Sequence, residues 1–139
     1  MNPDKKMRLA AYYNPTGHHV ASWRHPRAQA DASFNIKHYV EIAQTAEKAK
    51  FDLLFLADAN ATREAAVEAI SRSVQFVAHF EPMTLLSALA MVTSKIGLVG
   101  TVSTSWNEPY HIARKLASLD HISNGRSGWN IVTSGQNAE

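Results

Sequence analysis

The chain has 139 residues, 45% of them hydrophobic and 19% charged, which is the composition of an ordinary folded domain and excludes disordered and fibrous classes. Fourteen Lys and Arg stand against twelve Asp and Glu, a net charge of +2, so neither a polyanion-binding face nor an acidic tail is indicated and nucleic acid is not an expected partner. There is no cysteine, which removes disulfides, thiolate nucleophiles and Cys-based zinc sites. Residues 1–7 are polar and charged, and no run approaches the roughly 18 consecutive apolar residues of a membrane span. The expectation is one soluble, unprocessed domain over residues 1–139, with 1–7 flexible, in the cytoplasm and without membrane contact.

In chain order, the first apolar run is residues 9–13, closed by the turn residues Asn14, Pro15 and Gly17, and it reads as a strand. A polar loop with His18, His19, Trp23, Arg24 and Pro26 follows. Ile36, Val40, Ala43 and Ala46 then recur at helical spacing. Residues 51–57, with Leu53, Leu54, Phe55 and Leu56 unbroken, read as a second strand covered on both faces, as in a parallel sheet. It ends at Asp58. Residues 59–80 read as a long loop with some helix over 63–69, and loops of this length are usually lids or binding loops.

Glu81 and Pro82 open a second helix that runs to about Thr93, because proline suits the first helical position and an acid suits the dipole there. Residues 96–102 form a third strand, with Gly97 and Gly100 inside it and Ser103 and Thr104 at its end. Glu108 and Pro109 open a third helix, with Ile112, Leu116, Leu119 and Ile122 on one face, and Asn124 with Gly125 closes it in a left-handed cap. Residues 129–133 form the fourth strand. Four strands alternating with three helices predict a parallel α/β fold, since each parallel crossover needs a returning element.

Several ordered segments are more specific than this pattern. They are Gly17-His18-His19 with Trp23-Arg24-His25-Pro26, the run from Phe51 to Asp58, and Phe80-Glu81-Pro82. A block then runs from Pro109-Tyr110-His111 through Ala113-Arg114-Lys115, Ala117-Ser118-Leu119-Asp120 and Gly125-Arg126 to Trp129-Asn130-Ile131-Val132-Thr133-Ser134. Together they resemble the nitrilotriacetate and dibenzothiophene-sulfone monooxygenase branch of the bacterial-luciferase-like flavoenzymes, from about Leu9 onward.

The resemblance implies the N-terminal half of a (β/α)8 TIM barrel, because such barrels take about 250 residues and this sequence stops after its fourth strand. It also implies an FMN-dependent monooxygenase that uses reduced flavin and dioxygen to oxygenate a small organic substrate, the flavin being reduced by a separate NAD(P)H:flavin reductase. The Trp-Asn-Ile-Val-Thr-Ser run speaks against the deazaflavin-dependent members of the same superfamily. Trp106 departs from the pattern, standing where a smaller aromatic is expected, and would narrow the substrate pocket.

Ligands of such barrels bind where the strands end at their carboxyl side. Asp58 matches a family acid that contacts FMN, accepting from an isoalloxazine N–H; otherwise it is a turn or capping aspartate. Thr101 matches a threonine that touches FMN through its hydroxyl or backbone; otherwise it is a good β-former. Asn130 would project its amide into the pocket if Trp129 and Ile131 face the helices, or would pair neighbouring strand ends.

His18 and His19 are the candidate catalytic residues, able to hydrogen-bond or pass a proton near neutral pH, or else are exposed loop histidines. Even with His25 nearby they lack the ligand spacing of a metal site. Trp23 and Arg24 are expected to anchor their loop by packing and a carboxylate pair. Arg114 and Asp120, six apart on one helix, are expected to make ion pairs with neighbouring elements.

A reading of a different class is a catalytically inactive half-barrel, an assembly module that needs a partner chain. Exposed strand edges in such a half predict a homo-oligomer.

Overall fold

The computed structural model describes residues 6–61, 67–72 and 77–134. Strands β1 (Ala10–Tyr13), β2 (Leu53–Leu56), β3 (Gly97–Ser103) and β4 (Ser127–Val132) lie side by side in sequence order, all parallel. Three helices return the chain between them: α1 (Ile36–Lys48), α3 (Pro82–Ala90) and α4 (Pro109–Ser123). The one-turn helix α2 (Val67–Ile70) overlaps the helix expected over 63–69 in the long connection 59–80, of which residues 62–66 and 73–76 lie outside the described ones. No helix among the described residues is long and apolar enough to cross a membrane.

Residues in register on adjacent parallel strands share a face of the sheet, so the pairings sort the side chains directly. One face carries Leu54, Leu56, Leu98, Gly100 and Val102 and packs under Tyr39 and Ala43 of α1, Met83, Leu86 and Leu89 of α3, and Ile112 and Leu119 of α4. Leu86, Leu89 and Leu98 are completely buried, each stabilising by about 1.5–3 kcal/mol relative to exposure. The other face carries Tyr12, Phe55, Val99, Thr101, Gly128 and Asn130.

On that second face the cover expected on both sides of β2 is only partial among the described residues. Leu54 and Leu56 are buried while Leu53 and Phe55 are only partly so, and Tyr12 beside Phe55 is 51% exposed. Helices α1, α3 and α4 lie on one side only. Ile131, on the helix side of β4, is still 61% exposed because no described element lies beyond that edge.

Local chemistry explains where the elements begin and end. Asn35, not anticipated from the sequence, caps α1 by accepting from the N–H groups of Lys37 and His38. Glu81 caps α3 by accepting from Met83 N (2.8 Å) and Thr84 N (2.7 Å), with Pro82 at its start. Those bonds satisfy orphan donors of the first turn and place a negative charge on the positive end of the dipole. Pro109 likewise opens α4, but Glu108 makes no capping bond through its side chain.

Asn124 at φ 57° and Gly125 at φ 80° close α4 in the left-handed region, as expected. Gly100 is where α3 crosses β3: a Cβ there would stand 2.2 Å from Met83 Cε, 3.0 Å from Leu86 Cδ1 and 3.1 Å from Pro82 Cβ. The buried stripe of α4 is Ile112, Leu119 and Ser123, with Leu116 packed against the core. Ile122, expected on that stripe, is 48% exposed; Ser123 is the residue one further turn along the helix face from Leu119.

Candidate active site

The two ends of the sheet differ in what their polar groups do. At the amino end they are spent on the fold. Asp52 accepts from Arg8 Nη1 (2.7 Å) and Leu9 N (2.8 Å), and the Arg8 bond, then the Leu9 amide, holds its carboxyl below the usual aspartate range. One oxygen of Glu47 accepts from the N–H groups of Ser94 (2.9 Å), Lys95 (2.6 Å) and Ile96 (3.0 Å). Burial alone would raise that carboxyl, but the three amides and the Arg126 charge outweigh it and lower it.

The Arg126 side chain donates five hydrogen bonds: to Ser123 O (2.7 Å), Thr93 Oγ1 (3.0 Å), Ile96 O (2.9 Å), Ala90 O (3.0 Å) and Thr93 O (3.2 Å). It thereby staples the α3–β3 turn to the α4–β4 turn. Asp120 is part of the same arrangement. It accepts from Ser127 N and Oγ (3.3 and 2.9 Å) rather than pairing with a cation, and the ion pairs among the described residues are Arg8–Asp52 and His79–Asp58. A cavity of about 420 Å³ opens at this end beside Glu47, Lys50, Asp52 and Lys95, but it is the end opposite to the one where β/α sheets of this kind carry their ligands.

At the carboxyl end two of the sequence candidates, Thr101 and Asn130, meet on the open face. Thr101 is 3% exposed; its hydroxyl donates to Leu56 O of β2 (3.0 Å) and accepts from Asn130 Nδ2 of β4 (3.0 Å). The one hydroxyl proton is therefore committed within the sheet, and a further partner could only use its remaining lone pair. The Asn130 bond uses one of the amide's two hydrogens and does not involve Oδ1. Trp129 faces the other way, packing against the core and donating from Nε1 to Val102 O (3.0 Å). Asn130 thus both ties neighbouring strands and stands on the open face.

Asp58, two residues beyond β2, meets His79 at 3.1 Å between Oδ1 and Nε2. His79 carries no recognisable signal in the sequence: it is 21 residues from Asp58, in a connection without periodicity. His18 and His19 separate. The His18 ring lies edge-on to Tyr12, centroids 4.5 Å apart, and Tyr12 in turn lies 5.0 Å from Phe55. Because His18 Nε2 is 3.0 Å from Tyr12 O, and a carbonyl only accepts, Nε2 is the donor, and in the neutral tautomer Nδ1 is the acceptor. His19 Nδ1 accepts from Ala21 N and His25 Nδ1 from Arg27 N, both at 3.1 Å, so these two serve their own turns.

Around the mouth, Ser103 Oγ pairs with Ser134 Oγ at 2.5 Å and Asn107 Nδ2 donates to Ser103 O at 3.0 Å, fastening the loops after β3 and β4. Trp106 in the β3–α4 loop is 57% exposed. The Arg24 guanidinium sits 5.9 Å from the Trp23 ring centre, a cation–π contact in place of the expected carboxylate pair. On the helix face, burial and then the neighbouring Tyr39 push the Tyr13 phenol up, and burial pushes Tyr39 up to about 12; both stay neutral and structural. Among the described residues no group of three or more His, Asp or Glu is placed to hold a metal ion.

Consecutive parallel β/α steps, with α1, α3 and α4 on one face of the sheet, define the first strands of a (β/α)8 TIM barrel. Residues 16–139 match the family model described as luciferase-like monooxygenase, and the chain belongs to that family.

Among its relatives, N-acetyl-S-(2-succino)cysteine monooxygenase of Bacillus subtilis (strain 168) is 55% identical over 94% of this chain and 28% of its own length. Nitrilotriacetate monooxygenase component A of Aminobacter aminovorans is 47% identical over 100% of this chain and 32% of its own. A solved structure of riboflavin lyase (RcaE), described with modified FMN and substrate riboflavin, superposes with a TM-score of 0.81 at 34% identity over 94% of this chain and 30% of its own. The chain spans about a third of the length of the curated relatives it matches.

Proposed function

We propose that this chain forms the flavin-holding strand ends of a two-component FMN-dependent monooxygenase, which oxygenates a small organic substrate with dioxygen and receives reduced FMN from a separate NAD(P)H:flavin reductase. The observation that carries the reading is the meeting of Thr101 and Asn130 on the open face, the face that also carries the adjacent rings of Tyr12 and Phe55, with Asp58 just beyond the carboxyl end of β2. Family membership and the flavin in the riboflavin lyase structure support it.

The side chains fit an isoalloxazine. Its ring needs a flat apolar surface and its edge presents both N–H and C=O groups; Tyr12 and Phe55 offer the first, the Asp58 carboxylate an acceptor, and the Asn130 amide a donor and an acceptor. β2 and β4 lie two strand spacings apart, about 10 Å, so these groups reach different parts of one ring system. When bound and reduced, the flavin supplies the electrons that let one atom of dioxygen enter the substrate and the other leave as water. The protein holds and orients that ring and shields it from solvent. His18, with its proton fixed on Nε2 by Tyr12 O, presents Nδ1 to take up or return a proton at the reacting oxygen; His19, turned to Ala21, is the weaker candidate.

The test supplies the protein with FMN, NAD(P)H, a flavin reductase and labelled dioxygen, and a substrate panel that includes N-acetyl-S-(2-succino)cysteine and nitrilotriacetate. Label appearing in one product, and only with reductase present, is the expected result. Oxidation of NAD(P)H with no labelled product from any compound speaks against it.

The exposed Ile131 at the β4 edge and Tyr12 on the open face favour a second element of the reading: these surfaces are covered by further chain or by a second copy in a homo-oligomer. An assembly module without flavin affinity would show oligomers on sizing chromatography and no FMN binding. A cytoplasmic location, with neither nucleic acid nor membrane as partner, completes the proposal.

A further inference from the structure

We propose that His79 is a positioning residue for Asp58, holding the carboxylate in the orientation in which it receives the flavin edge. The inference rests on the flavin reading above and extends it to a residue outside the set expected from the sequence. The contact is direct, His79 Nε2 to Asp58 Oδ1 at 3.1 Å, with the side chains 36% and 25% exposed. An ionised carboxylate only accepts, so the imidazole donates from Nε2, which engages Oδ1 and leaves Oδ2 for a second donor.

The imidazole is itself held. The next residue, Phe80, lies edge-on to Phe34 and Tyr39 with centroids 5.6 and 5.7 Å apart. Glu81 after it is fastened to Met83 N, Thr84 N and Thr84 Oγ1. A histidine tethered to a capped helix start and a core aromatic cluster is a fixed donor. Asp58, on a loop beyond β2, would otherwise have to be ordered at the moment of binding. Fixing it beforehand removes that cost from the binding equilibrium.

A partly exposed pair of this kind contributes little to stability, so a role limited to folding would leave flavin affinity alone. The discriminating experiment is a double-substitution cycle on FMN affinity, read by quenching of flavin fluorescence, with circular dichroism as the check on folding. His79→Ala is expected to weaken FMN binding roughly tenfold, the effect of losing a hydrogen bond to a charged group. His79→Gln, whose amide N–H reaches the place of Nε2–H, is expected to bind within about threefold of the parent. In the Asp58→Ala background, His79→Ala is expected to have no further effect.

Unchanged affinity in His79→Ala, an equal loss in both backgrounds, or failure of His79→Gln to rescue overturns the positioning role while leaving the flavin reading intact. Absence of FMN binding by the folded parent protein, seen before any substitution, overturns the flavin reading and the role of His79 together.

Discussion

The amino and carboxyl ends of this four-stranded sheet are made of similar residues put to opposite uses. At the amino end a carboxylate caps three successive amides (Glu47), another joins the entry to β1 to that of β2 (Asp52), and one guanidinium satisfies four carbonyls and a hydroxyl (Arg126). At the carboxyl end the side chains of Asn130 and Asp58 each make one hydrogen bond among the described residues, which fixes the side chain and uses only part of its hydrogen-bonding capacity. On the proposed reading, the difference separates stability from function within one sheet. Polar groups that are satisfied within the fold stabilise it, and partly satisfied groups held in place are those able to recognise a ligand.

Substitutions sharpen that separation. The largest stability effect is expected for Arg126→Met, which strands the carbonyls of Ala90, Thr93, Ile96 and Ser123; a loss of about 3 kcal/mol is predicted from urea unfolding. Gly100→Ala should cost about 2 kcal/mol by pushing α3 off the sheet at Met83, Leu86 and Pro82, measured in the same way. A Gly100 variant as stable as the parent would show that α3 can shift freely.

Glu47→Gln should cost about 1 kcal/mol near neutral pH, and the sign of its pH dependence is fixed. The Glu47 carboxyl is lowered from 4.5 in the folded chain, so its contribution is full above that value and is lost as the pH falls through the lower folded one. The gap between parent and Glu47→Gln should therefore close on acidification below about pH 4.5; a gap that widens there contradicts the amide-cap account. At the carboxyl end, His18→Ala is expected to change stability by less than about 0.5 kcal/mol while slowing oxygenation, and a variant that is destabilised but catalytically normal would reverse the comparison.

Much of the fold was readable because local rules and tertiary packing agree. Glu81 with Pro82 and Asn124 with Gly125 mark helix ends by backbone chemistry that needs no distant partner, and they stand where expected. The face of β2 was not readable. Leu53 to Leu56 are all apolar, so no alternation distinguishes the buried Leu54 and Leu56 from the partly exposed Leu53 and Phe55. Ile122 was placed on the core stripe because it is apolar, yet geometry puts the small polar Ser123 there.

In the candidate site, the convergence of Thr101 and Asn130 follows from register, Thr101 facing Asn130 across β3 and β4. Asp58, Thr101 and Asn130 were named through the family resemblance and their strand-end positions. The partner of Asp58 was not, because His79 reaches it across a connection whose path no periodicity records. Arg126 was visible only as part of a motif; its carbonyl partners lie three residues back in its own turn and 30 to 36 residues upstream, in the turn between α3 and β3.

The most direct test of the central claim, that the carboxyl end is the flavin end, is an anaerobic titration with reduced FMN of the parent, Asn130→Leu and Glu47→Gln under conditions where all three are folded. Saturable binding by the parent and by Glu47→Gln, with a loss of roughly tenfold or more in Asn130→Leu, is the predicted result. No binding by the parent, or equal weakening by the substitutions at the two ends, would contradict it.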